Sequence, residues 1–208
     1  MWYDFFSLFY DRALEDLYAP FRPEAVSALG LSSGAVVLDA PCGTGHSIDF
    51  LQPVVGRSGA VLGVDVSSGM LHRARRRVDK NAWENVWLHK QRVSDIDSKT
   101  LVDAIDRPNV DGVLCSLGLS VFPEWEAAFE SLFTLVRPGG RFVILDVFTP
   151  ERTFQTKLIG LVARADNSRE VWRPLQSACT DFVRDVLPAD PKKFGGELFV
   201  ASGTRPES

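Results

Sequence analysis

Two carboxylates and two glycines carry the chemistry most open to reading in this chain. Asp39 ends the apolar run Ala35-Val36-Val37-Leu38, and Gly43 and Gly45 follow within Pro41-Cys42-Gly43-Thr44-Gly45-His46. Asp65 ends a second apolar run, Ala60-Val61-Leu62-Gly63-Val64, 20 residues past Gly45. Such short apolar runs read as strands buried on both faces, as in a parallel sheet. Each strand therefore leaves an acid at its C-terminal tip. The glycines let the backbone turn sharply and approach a ligand with no Cβ in the way. An acid about 20 residues past such a turn, at the tip of the next strand, is placed to accept from a pair of ribose hydroxyls. The spacing predicts a nucleoside lying across the tips of the first two strands.

The turn also narrows which nucleoside. A dinucleotide turn reads G-x-G-x-x-G, with its third glycine for close helix–strand packing around a pyrophosphate. Here Pro41 stands at the first glycine position and His46-Ser47 offers no third glycine. A phosphate-cradling P-loop ends in Gly-Lys-Ser/Thr, and no Lys is present in this turn. Asp39 would repel a phosphate but suits a cationic amino-acid moiety. The combination favours S-adenosylmethionine, which carries an ammonium and a sulfonium and no phosphate.

At this point the sequence resembles the class I S-adenosylmethionine-dependent methyltransferases over residues 30–150. Beyond the glycine turn, the resemblance rests on Val64-Asp65-Val66-Ser67-Ser68-Gly69-Met70-Leu71 and Asp111-Gly112-Val113-Leu114-Cys115-Ser116. It also rests on Leu135-Val136-Arg137-Pro138-Gly139-Gly140-Arg141-Phe142-Val143-Ile144-Leu145-Asp146. The resemblance implies that Asp39, Gly43 and Gly45 hold the methionine end, Asp65 the ribose, and Val66 and Met70 the adenine faces, with Ser116 near the transferred methyl. In the family an acid in Gly-Asp-Ala after the third strand bonds the adenine amine. Here Gln91-Arg92-Val93 stands in its place. That leaves the backbone around Arg92 and Val93, or Asp95 or Asp97 from a shifted loop, to read adenine.

Methyl transfer from a sulfonium is an in-line displacement, so positioning and a dry pocket supply most of the rate. A general base is needed only for an acceptor that loses a proton on attack. Tyr10, His46 and Asp146 are the candidates for it, with Ser116 beside them. His46 opens the first helix, where the positive dipole end favours a neutral imidazole; capping the cofactor turn is its alternative role. Asp146 closes the fifth strand, where it serves either as a base or as a loop cap.

The elements that must position these groups alternate along the chain. Strands are expected at 35–39, 60–65, 85–90, 110–116 and 141–147, and helices at 46–53, 68–79, 98–105 and 124–136. This alternation predicts an α/β fold: a Rossmann-like, seven-stranded, mostly parallel sheet flanked by helices. Strands at 179–186 and 196–203 would close it with a C-terminal antiparallel hairpin. Residues 23–30 read as a short helix ended by Gly30. Residues 2–18 read as a helix rich in aromatics (Trp2, Tyr3, Phe5, Phe6, Phe9, Tyr10), forming a lid, a partner contact or a membrane-surface contact. Helical stretches at 151–165 and 169–178 form a small substrate-side insertion, in which Phe154 and Trp172 are placed to meet the acceptor.

With 208 residues, 45% hydrophobic and 24% charged, the chain reads as a single domain over 1–208. A net charge of −4 argues against a nucleic-acid footprint. The cluster His72-Arg73-Ala74-Arg75-Arg76-Arg77 reads as a solvated helix face. Three cysteines without paired spacing imply neither disulfides nor a metal site and suit a reducing, cytoplasmic setting. No apolar stretch is long enough for a transmembrane span. The expected partner is a small-molecule substrate, for a monomer or homodimer. The overall pattern resembles the ubiquinone/menaquinone-biosynthesis type of methyltransferase. The stretch from Ser116 to Trp125 and the Phe-Gly-Gly-Glu-Leu-Phe-Val that starts at Phe194 resemble bacterial phospholipid N-methyltransferases. A cofactor-binding module without catalysis is the alternative from another class, motivated by the missing acid.

Overall fold

A computed structural model describes residues 17–150 and 165–207. The expected aromatic helix at 2–18, apart from Leu17 and Tyr18, lies outside the described residues, as do nearly all of the 151–165 stretch, Tyr10 and Phe154.

Seven strands among the described residues form one sheet. In chain order they are β1 (Val36–Asp39), β2 (Ala60–Asp65), β3 (Val86–Lys90), β4 (Val110–Ser116), β5 (Val136–Phe148), β6 (Val183–Val186) and β7 (Glu197–Thr204). The sheet order is β3-β2-β1-β4-β5-β7-β6. β1 through β5 pair in parallel, and β7 runs antiparallel to both β5 and β6. The chain winds outward from β1 to β3, then crosses back to start again at β4 beside β1. Ligands of open α/β sheets bind outside the strand C-termini at this kind of reversal. Asp39 on β1 and Ser116 on β4 therefore face the same crevice mouth.

Alternate residues of each central strand serve opposite faces. Leu38, Leu62, Val113, Cys115 and Ile144 join one core cluster, which α5 (Trp125–Leu135) covers with Phe129 and Leu132. Val37, Val61, Leu114, Val143 and Leu145 join the other, covered by α1 (Arg22–Ala28) and α2 (Ile48–Val55) through Val26, Leu51 and Val55. Burying a side chain such as Leu38 contributes about 1.5–3 kcal/mol, so this doubly covered sheet is the rigid platform for its tips.

The remaining helices have local causes. α3 (Ser68–Lys80) starts where the Ser67 hydroxyl accepts from the Met70 amide, buries Ala74 and Val78 one turn apart, and ends on Arg77 and Lys80. Cations at that end suit the helix dipole. α4 (Ser98–Ile105) is capped by Asp97, which accepts from the Thr100 amide. α6 (Arg173–Ala178) and a single turn, α7 (Pro191–Phe194), precede the last two strands.

Several boundaries differ from expectation, four of them for local reasons. α2 starts at Ile48 and not 46, because the amides of Gly45 and Ile48 bond Cys42 and Gly45 carbonyls and prolong the turn. It runs past Pro53 to Val55, since proline there removes one amide only, and Gly56 at φ 65° ends it. The strand expected at 179–186 begins at Val183, because the Asp181 carboxylate takes up the Thr204 amide and hydroxyl ahead of it. The helix expected at 169–178 begins at Arg173; the preceding turn is held by Asp166, which accepts from the Ser168 amide and hydroxyl.

Candidate cofactor-binding site

The turn after β1 lies across the tips of its two neighbours. The Ala40 amide bonds the Leu114 carbonyl of β4 at 3.0 Å, and the Cys42 amide bonds the Val64 carbonyl of β2 at 2.9 Å. Gly43 has φ 53°, and a Cβ built there meets nothing within 4 Å, so its backbone faces open space. Gly45, at φ 82°, has the opposite surroundings: a Cβ would sit 3.2 Å from the Ala74 Cβ and the Ile48 Cδ1. The first glycine leaves room for a ligand, and the second seats α3 against the turn.

Asp65 is buried at 7% exposure and organises this turn from below. One oxygen accepts from the Gly43 amide at 3.0 Å and the other from the Ser67 amide at 2.8 Å. Burial raises its pKa above the usual carboxylate range, and the Ser67, Gly43 and Val66 amides oppose the rise. Three amides thus meet its two oxygens, which leaves lone-pair capacity for a donor in the crevice. Val66, next along, is 54% exposed, and Met70 is half-buried on α3. An open apolar surface thus adjoins the acid.

Asp39 is fully buried, and neither of its oxygens has a hydrogen-bond partner among the described residues. Desolvation pushes its pKa up to about 7, with the Arg22 charge lowering it and Asp65 raising it. Buried polar groups are nearly always hydrogen-bonded, so two orphaned oxygens mark where a donor belongs. Together with Asp65 they suit a ligand that brings N–H or O–H donors and positive charge, and they disfavour a phosphate.

Arg22 is the functional neighbour that the sequence reading missed. Its guanidinium donates to the Ser47 hydroxyl at 2.7 Å and the Ser116 hydroxyl at 3.4 Å, bridging the first helix and the β4 tip. The only sequence signal is an arginine before Pro23; its place over the crevice depends on α1 folding back across residues far along the chain. Ser116 is buried at 8% and meets this guanidinium.

The expected bases sit in tighter networks. The Arg77 guanidinium lies 2.7 Å from His46 Nδ1. Arginine has no acceptor, so Nδ1 accepts and the proton is assigned to Nε2, a neutral imidazole. Arg77 also pairs with Asp49 and donates to the Thr44 carbonyl. Asp146, 1% exposed, accepts from the Ser120 hydroxyl at 2.7 Å, the Ser120 amide at 3.1 Å and the Val147 amide at 2.8 Å. These bonds oppose the rise in pKa that its burial causes. They also fasten the loop after β4, whose Ser120 carbonyl accepts from the Asp166 amide and whose Phe122 carbonyl accepts from Arg169.

The loop after β3 lies beside the β2 tip, with the Gln91 amide bonding the Asp65 carbonyl at 3.2 Å. Arg92 there is exposed and Val93 is buried at the start of a short 3-10 turn. Asp97 turns to its own helix, accepting from the Thr100 amide and hydroxyl, each at 2.8 Å. Asp95 is exposed and accepts from the Ser94 hydroxyl. Trp172, expected to face the acceptor, is instead buried in the core at 8% exposure. It meets Phe148 and Phe199 edge-on at 4.7 and 5.1 Å, and the Arg184 guanidinium lies 4.2 Å from its ring centroid. The indole finds more apolar contact there than a crevice offers.

Away from the crevice, at the N-terminal ends of β1, β4 and β5, lies a polar hollow of about 350 Å³ bordered by Ser33, Asp111, Arg137 and Arg141. Its charges are spent internally, Arg137 on Asp111 and Arg141 on Asp181. Among the described residues, no helix is long and apolar enough to cross a membrane.

Residues 31–182 match the methyltransferase domain family. A demethylmenaquinone methyltransferase of Lactococcus lactis is 27% identical over 130 residues, covering 62% of this chain and 49% of that protein. A 2-phytyl-1,4-naphtoquinone methyltransferase of Thermosynechococcus vestitus is 31% identical over 146 residues, covering 68% and 61%. The chain spans about half the length of the relatives it matches. A crystal structure of a SAM dependent methyltransferase from Aquifex aeolicus shares the fold at a TM-score of 0.61 and 21% identity, covering 90% of this chain and 92% of that one. With its glycine turn, its two strand-end acids and a family match over residues 31–182, this chain belongs to the class I S-adenosylmethionine-dependent methyltransferases.

Proposed function

We propose that this protein transfers a methyl group from S-adenosylmethionine to a small-molecule acceptor. The observation that carries the reading is the pair of unpartnered, buried Asp39 oxygens, with the open backbone of Gly43 in the turn that follows Asp39. Asp39 receives the ammonium of the methionine end, and Asp65 accepts from the ribose hydroxyls with the lone-pair capacity that the Gly43, Ser67 and Val66 amides leave. Val66 and Met70 cover the adenine, and the backbone of Arg92 and Val93 reads its edge. The bound cofactor supplies an electrophilic methyl on a sulfonium.

The chain's own contribution to the transfer is placement. Ser116 and the loop that Asp146 fastens to β5 form the wall on the β4 side, and Arg22 ties that wall to α1. In this arrangement Asp146 is an anchor, and His46, held by Arg77, orders the cofactor turn. Tyr10, outside the described residues, stays the candidate base for acceptors that lose a proton. A reduced quinone ring is the leading acceptor class, because relatives named for menaquinone and naphthoquinone methylation match the chain.

The test is turnover with methyl-labelled S-adenosylmethionine against a panel of reduced naphthoquinones, phenols and phosphatidylethanolamine vesicles. Label in a naphthoquinol carbon product supports the reading. Label only in the vesicles would replace it with headgroup N-methylation, and tight cofactor binding without any turnover would replace it with a binding module.

A further inference from the structure

We propose that Asp39 carries a proton in the ligand-free protein and loses it as the cofactor's ammonium arrives, so that cofactor binding releases a proton and tightens as pH rises. This rests on the reading of the crevice as the S-adenosylmethionine site.

The geometry is a charge count in a closed space. Asp39 is 0% exposed, with no hydrogen-bond donor on either oxygen among the described residues. The charged and titratable groups around it come from four directions. α1 contributes Arg22, β2 contributes Asp65, the turn contributes the Cys42 thiol, and β4 contributes the Cys115 thiol. Burial pushes both thiols well up, so they stay neutral. Among the described residues, one guanidinium therefore faces these two buried carboxylates, and the half-buried Asp49 also draws on its charge. Arg22 spends hydrogen bonds on the Ser47 and Ser116 hydroxyls, and Asp65 has amides from Gly43 and Ser67 to stabilise its charge. Asp39 has none, so the single proton that balances the cluster resides on it. Its pKa of about 7 agrees with that placement.

An arriving ammonium changes the balance. It brings positive charge and N–H donors to the two orphaned oxygens, and both favour the ionised carboxyl. The O–H bond of Asp39 breaks and the proton passes to solvent or buffer.

The test is calorimetric titration of the full chain with S-adenosylhomocysteine between pH 6.0 and 7.5, each pH in two buffers of different ionisation enthalpy. For a group at about 7 that is ionised in the complex, linkage predicts release of roughly three-quarters of a proton per ligand at pH 6.5 and a roughly eight-fold rise in affinity from pH 6.0 to 7.5. Asp39→Asn is expected to bind more weakly and to lose both the buffer-dependent heat and the pH slope. Binding that is equally tight across this range, with the same heat in both buffers, overturns the proposal while leaving the cofactor reading standing. So does an Asp39→Asn protein that still releases the proton. No binding at any pH overturns the cofactor reading itself, and the proposal with it.

Discussion

The Asp65 carboxylate accepts from the Gly43 amide at 3.0 Å, joining the tip of the second strand to a turn 22 residues earlier. The same acid accepts from the Ser67 amide at the start of α3. One side chain therefore sets both the glycine turn and the first turn of the next helix, and presents what remains of its lone pairs to the crevice.

Removing that acid acts twice. Asp65→Ala strips a charge-assisted acceptor and is expected to weaken S-adenosylhomocysteine binding by about 1–3 kcal/mol, with a parallel loss of stability from two stranded amides. Asp65→Asn keeps one accepting oxygen and should fall between the wild type and the alanine variant. Calorimetry and urea unfolding on the same preparations check both. Unchanged affinity in Asp65→Ala would remove the ribose from this position.

The two glycines of the turn should separate binding from stability. Gly43 faces open space and Gly45 faces Ala74 at 3.2 Å, though both have positive φ. Left-handed backbone costs a non-glycine residue about 1–2 kcal/mol. Gly43→Ala is therefore expected to lose about that much stability and a larger share of affinity, because the new methyl fills ligand space. Gly45→Ala should lose more stability than Gly43→Ala, since crowding against α3 adds to the strain. Thermal unfolding alongside ligand titration gives the two rankings.

The pH dependence of stability carries the signature of Asp39. Its folded pKa of about 7 lies above the ordinary 3.8. The folded form thus binds the extra proton, and ionising Asp39 costs folding free energy as pH rises. The cost is absent below about pH 4 and complete above about pH 7, at most on the order of 4 kcal/mol for a shift of this size. Asp39→Asn should therefore gain stability over the wild type from pH 4 to about pH 7, with the difference levelling off toward pH 8. Urea unfolding across that range is the check, and a constant difference between the two proteins would contradict it.

Asp146 is expected to behave as an anchor. Asp146→Asn removes an acceptor from the Ser120 and Val147 bonds and should cost about 1–3 kcal/mol of stability; Ser120→Ala should cost about 1 kcal/mol. If turnover of either variant is measured against pH, kcat is expected to fall with the wild-type profile shape intact. Loss of one limb of the profile in Asp146→Asn alone would make Asp146 a base.

Much of this was readable before any coordinates, for reasons that are local. The runs ending in Asp39 and Asp65 are short, apolar and followed by turn residues, so strand, tip and turn came together. Parallel pairing followed from the alternation with helices. What stayed hidden depends on contacts distant in the chain. Arg22 meets Ser116 across 94 residues, and nothing near Arg22 in sequence announces it. Trp172 looked like a substrate wall because it stands in an insertion, yet Phe148, Phe199 and Arg184 from three strands claim it for the core. α2 runs to Val55, two residues past the expected end at 53, because Pro53 costs it a single amide bond so close to its end.

The most direct test of the central claim is a crystal structure with S-adenosylhomocysteine bound. The ribose hydroxyls should lie on Asp65 and the ammonium within hydrogen-bond reach of Asp39, with the chain of the ligand passing over Gly43. A ligand seated instead in the polar hollow by Ser33 and Arg137, or a crevice that admits only a pyrophosphate-bearing nucleotide, would contradict it.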